Sequence, residues 1–205
     1  MSTCQPFAVM RLTHEAIRSG LNDLENMLGD EAEIPWESAR KSFDQVSQCI
    51  KLHAAQEDLE FYPHLEEKEQ GISHDFTKDH QAEAAEIRSL NADLNYGKSA
   101  ETDQQTLRNR LLAFIAKHRE HLANEEVVLL KKLPELFTYF ESVDVVRGIL
   151  GHDINAFENM QLPWVYERLN HDQREMYKAM LKGCSPDDRY NKFCQIMDGI
   201  EKPSA

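Results

Sequence analysis

Apolar residues recur at helical spacing through the first two-thirds of the chain. Between residues 7 and 28 they fall at Met10, Ile17, Leu21, Leu24 and Leu28, and His14 completes a run with steps of three and four. Such a stripe marks one face of an amphipathic helix turned toward a core, and Gly29 is placed to end it. A second stripe runs over 36–68 through Trp36, Phe43, Val46 and Ile50, and then through His53, Glu57, Glu60 and His64. Pro35 suits its first turn, whereas Pro63 is expected to kink the helix or end its regular part. A third covers 73–95 with Phe76, His80, Ile87, Leu90 and Leu94. The fourth covers 102–132 with Leu107, Leu111, Phe114, His118, His121, Glu125 and Val128. Short connections near Gly71 and Gly97 make sequential helices antiparallel neighbours. The reading is all-α: an up-down-up-down four-helix bundle over 1–134. Beyond Pro134 the pattern weakens, and 135–205 is expected to be a helical extension packed on the bundle. Its shorter helices are ELFTYFESVDVVRGILGHDINAF, LPWVYERLNHDQREMYKAML and the stretch 190–200.

All four stripes are interrupted by histidine or glutamate where a core should be. Such groups are costly to bury unless they are paired or bind a metal, and four interruptions in four helices call for one cause. They are also ordered: His14 and then His53 with Glu57, His80 and then His121 with Glu125. Residues i and i+4 share a helix face about 6 Å apart along the axis. Two such His–Glu pairs, each faced by a single His, can surround two metal ions bridged by the two carboxylates. No histidine has Glu three residues before it, and His14-Glu15 is not followed by a second histidine at position 18. The Glu-x-x-His of ferritin-like sites and the zincin H-E-x-x-H are therefore absent.

These stretches resemble the hemerythrin-like, or HHE cation-binding, family. They are LTHEAI around His14, HAAQEDLEFYPHLEE around His53 and Glu57, KDH ending at His80, and HLANEEVVLL around His121 and Glu125. The resemblance implies a four-helix bundle holding two iron ions (Fe2+/Fe3+) with a bridging oxygen species. His14, His53, Glu57, His80, His121 and Glu125 would be the ligands, with Glu57 and Glu125 bridging. Oxygen-carrying members place a second histidine one turn after the third-helix histidine, and here that position is Ala84. A seventh ligand would come from Glu83, Glu60, His118 or solvent, and the same residues could instead support the ligands by hydrogen bonds. The single third-helix histidine is similar to the hemerythrin domains of eukaryotic iron-sensing ubiquitin ligases. By ligand type, imidazole and carboxylate suit iron without excluding manganese or zinc.

Charge narrows the partners. With 23 basic and 36 acidic residues the net charge is −13, which argues against nucleic acid and anionic membrane surfaces. The first ten residues, MSTCQPFAVM, lack a basic lead and are too short to span a bilayer. Cys4, Cys49, Cys184 and Cys194 show no C-x2-C spacing, so reduced thiols and a cytoplasmic location are expected. The functional expectation is a binding and sensing module for iron, oxygen, nitric oxide or redox state, with no catalytic residue singled out. The extension offers an output surface to a protein partner. The alternatives are a di-iron enzyme that reduces peroxide, oxygen or nitric oxide, and a metal-free helical interaction domain.

Overall fold

A computed structural model describes residues 5–29, 34–96 and 101–201, and every regular element among them is helical. Helix α1 (Ala8–Met27) buries His14, Ile17, Leu21 and Leu24 along the predicted face. Helix α2 (Trp36–Gln56) starts directly after Pro35. It does not end at Pro63: a π-helical turn over Glu57–Phe61 leads into α3 (Tyr62–Lys68). The Tyr62 N–H reaches back five residues to the Glu57 carbonyl, and the helix continues past the proline. Gly71, at φ +86°, supplies the left-handed residue of the turn that follows. Helices α4 (His74–Tyr96) and α5 (Glu101–Glu125) complete the bundle, and a second π turn spans Glu126–Leu130. Packing of α1 on α2 and α5, α2 on α4, and α4 on α5 closes the four into a ring.

The chain continues through α6 (Leu133–Leu136), α7 (Tyr139–Gly151), α8 (Ile154–Ala156), a third π turn (Phe157–Gln161), α9 (Leu162–Arg168), α10 (His171–Cys184) and α11 (Asp187–Glu201). The stretch expected as one helix from Leu162 to Leu181 is divided. Leu169 is extended, and Asn170 opens α10 with a reciprocal capping box to Gln173. Thr138 and Glu141 cap α7 in the same way. Helices α9 and α10 pack on α1, and α7 packs on the first π turn. No helix among the described residues is long and apolar enough to cross a membrane. Cys4 lies outside the described residues, and no disulfide joins Cys49, Cys184 and Cys194.

The contact between α1 and α9 depends on a glycine. A Cβ built on Gly20 would stand 2.7 Å from Cζ2 of Trp164 and 3.3 Å from Cγ2 of Val46. The indole cannot swing away freely, because the Arg168 guanidinium lies 4.0 Å from its ring centroid. Overpacking costs about 1–3 kcal/mol and outweighs the gain of about 1 kcal/mol from alanine in a helix. Gly20→Ala is expected to lower stability by up to about 2 kcal/mol. A urea midpoint equal to or above that of the parent would show that the indole yields.

Candidate metal centre

The four bundle helices deliver His14, His53, His80 and His121 to one level of the core, each 5 % exposed or less. The imidazoles meet in two pairs. Nε2 of His14 is 2.9 Å from Nε2 of His53, and Nε2 of His80 is 3.2 Å from Nε2 of His121. Glu57 and Glu125 lie between the pairs. Glu57 turns Oε1 to His53, at 3.3 Å from Nε2, and Oε2 to His80, at 3.4 Å. Glu125 Oε2 is 3.5 Å from Nε2 of both His14 and His121. Donor atoms of His14, His53, Glu57 and Glu125 all lie within 4.8 Å of one another, as do those of His80, His121 and Glu125. Thus the six residues singled out by the doubled pattern converge.

The donor set fits cations. Glu57 Oε2 and Glu125 Oε2 are buried with no hydrogen-bond partner among the described residues, a costly arrangement unless positive charge faces them. Protons can supply some of that charge. Burial opposes a charge on His14, yet the hydrogen bond to Glu126 and the facing carboxylates of Glu57 and Glu125 outweigh it and raise its pKa to about 9. His80 behaves alike: Asp58 and Glu57 overcome burial and raise it to about 11. Burial lowers His53 to about 3 and also lowers His121. Each pair therefore holds one charged and one neutral imidazole. Glu125 is raised to about 8 by burial and by Glu57.

Two carboxylates that sequence reasoning missed hold the outer nitrogens. His14 Nδ1 donates to Oε1 of Glu126 over 3.0 Å, and Arg18 donates to the same oxygen over 2.8 Å. His80 Nδ1 donates to Oδ1 of Asp58 over 3.0 Å. Both acids immediately follow a central glutamate, and both stand in a π turn. The signal was present as the acidic doublets Glu57-Asp58 and Glu125-Glu126. Consecutive residues of an α-helix diverge by about 100°, so a doublet reads as one inward and one solvated group. The Tyr62 hydroxyl adds a hydrogen bond to Glu125 Oε1, and its ring stacks on His80 at 5.6 Å.

The further candidates divide. His118 Nδ1 donates to Glu83 Oε1 over 2.9 Å, and both side chains are buried beside His121 and His80 on their helices. Despite burial, His118 keeps the Glu83 carboxyl below its usual range. Glu60 instead faces away from the cluster and pairs with His152 Nδ1 at 3.1 Å. The π turns explain this. Each sets the next inward residue four positions on, so Phe61 and Leu65 are buried where Glu60 and His64 were expected. Likewise Leu129 is 1 % exposed while Val128, placed on the stripe by spacing, is 41 % exposed.

A bundle of this kind with imidazole and carboxylate at its centre defines a metal-binding four-helix protein. The family model of the hemerythrin HHE cation binding domain matches residues 5–133, and the chain belongs to that family. No curated protein and no solved structure matches it.

Partners that orient metal-ligating histidines typically contribute about 10–100-fold in affinity. Glu126→Ala and Asp58→Ala should each weaken metal binding by about that factor, measured by competition with a chelator. Unchanged affinity in both variants would show that the two acids do not support the centre.

Proposed function

We propose that this protein binds two iron ions and serves as a sensing or binding module for iron, oxygen, nitric oxide or redox state. The observation that carries the reading is the pair of donor clusters sharing Glu125. In this reading His14, His53, Glu57 and Glu125 hold one cation, and His80, His121 and Glu125 hold the other, with the second oxygen of Glu57 beside His80. Glu83 and His118 support them from the flank. When bound, the ions supply a Lewis-acidic and redox-active centre to a small ligand. The chain's own residues orient it: Asp58 and Glu126 hold the imidazoles in one tautomer, and Tyr62 holds Glu125. Residues 1–134 form the metal-binding bundle, and 135–205 an extension that offers a surface to a protein partner. A cytoplasmic setting agrees with the absence of a disulfide among the described cysteines.

Metal binding is coupled to folding because the ligands must be brought together and deprotonated. Purified protein loaded anaerobically with ferrous iron should hold two ions per chain, and His53→Ala should hold fewer. At a free-metal level about 1,000 times Kd, each ion contributes about 4 kcal/mol, or roughly 8–16 °C in Tm per ion for a chain of this size. Identical melting with and without iron, or an absence of stoichiometric binding, would refute the reading.

Loading should also release protons. His14, His80 and Glu125 carry protons at pH 7 when no cation is bound, since their pKa values are raised to about 9, about 11 and about 8. A cation must displace them, so apparent affinity should rise as pH increases from 6 to about 9. Indicator-dye titration in weak buffer reads the released protons. Affinity flat across that range would show that no proton is displaced from the centre.

A further inference from the structure

A cavity of about 220 Å³ opens between α2 and α4 and ends against His80. Part of its wall is built of alanines. Ala54 and Ala55 come from α2, and Ala84 stands one turn after His80 on the same face of α4. Asp58 and Glu83 line the same cavity, and Glu83 Oε2 is buried with no hydrogen-bond partner among the described residues. Lys51 and Gln81, both exposed, also line it and mark the side open to solvent.

Size and charge define the occupant. A water molecule claims about 30 Å³ of liquid volume, so the space holds a few small molecules, whereas drug-sized ligands need cavities of roughly 300–1,000 Å³. Two carboxylates in its lining and a net charge of −13 disfavour anions. The alanine methyls, Ile50 and Ile87 give an apolar wall that an uncharged guest wets well. We propose that the α2–α4 cavity is the entry and docking site for an uncharged di- or triatomic ligand, delivered to the His80–His121 half of the centre. The proposal rests on the metal-centre reading above and adds which half is open and by what route. The residue that keeps it open is Ala84, since any long side chain there would fill the space beside His80.

The test uses two probes. Nitric oxide is mixed with the diferrous full-length protein, and its association is followed optically in the parent, Ala54→Leu and Ala84→Leu. The iron content of each sample is measured alongside. The expected result is two irons in all three and association slowed roughly tenfold or more in both variants, because a packed leucine must move before the ligand passes. Xenon, which needs no metal, should occupy the cavity in crystals of the parent and be lost in Ala84→Leu. Unchanged nitric oxide rates in both leucine variants at full iron content would overturn the route, as would xenon absent from the parent. Failure of the parent to take up iron refutes the metal reading instead, and the xenon experiment still decides whether the cavity admits a small apolar guest.

Discussion

Burial of four imidazoles and two carboxylates at one level of the bundle is the constraint to which the rest of this structure answers. Placed in a low-dielectric core, Glu57 and Glu125 repel one another, and neither can be moved to solvent without unpacking a helix. The cluster demands positive charge at its middle. Protons meet the demand in part, on His14 and His80, each fixed from behind by a carboxylate. Four acids, Glu57, Asp58, Glu125 and Glu126, surround the two pairs of imidazoles. A core of this composition is poorly balanced as an apolar bundle and well balanced as a cation cage.

The π turns make the cage buildable. An ordinary helix can aim Glu57 or Asp58 at the centre, but the next residue rotates away. A wider turn beginning at Glu57 lets the first acid enter the core while the second reaches the outer nitrogen of a histidine on α4. The same device after Glu125 gives Glu126 to His14. The bracing crosses the bundle: the acid on the second helix holds the histidine of the third, and the acid at the end of the fourth holds that of the first. Each brace ties two helices together as well as orienting a ring. Π-helical turns are rare in proteins at large and concentrate at functional sites, and their costs here are offset by these paired hydrogen bonds.

Most of the site was legible in the sequence because its signal is periodic. Six residues interrupting four stripes at matching positions could be read without any knowledge of the packing, and they do converge. What spacing could not supply was the local change of helical pitch. Extrapolating an α-helical stripe past Glu57 predicted Glu60 and His64 on the inner face, and past Glu125 it predicted Val128; the structure puts Phe61, Leu65 and Leu129 there instead. Pro63 was the visible warning, since a proline without an N–H favours a shifted hydrogen-bond pattern just before it. Asp58 and Glu126 were hidden for the same reason. The break at Leu169 was hidden differently: Asn170 and Gln173 spell a capping box, but the weaker periodicity beyond Pro134 marks no boundary there.

The centre and the C-terminal helices share a mechanical joint. Gln56, the residue before Glu57, is buried, and its side-chain amide exchanges hydrogen bonds with Gln161 at 2.9 and 3.0 Å and donates to the Ile149 carbonyl at 3.1 Å. Gln161 closes the third π turn, and Ile149 belongs to α7, which packs on the first. A shift of the backbone at Glu57 therefore cannot leave α7 and the 157–161 turn where they were without breaking a buried, reciprocal amide pair. Leaving such a group unsatisfied costs about 1–3 kcal/mol, comparable to the coupling energies by which binding at one site is transmitted to another. The turn that shapes the ligand cluster is thus also the turn on which the C-terminal extension is seated.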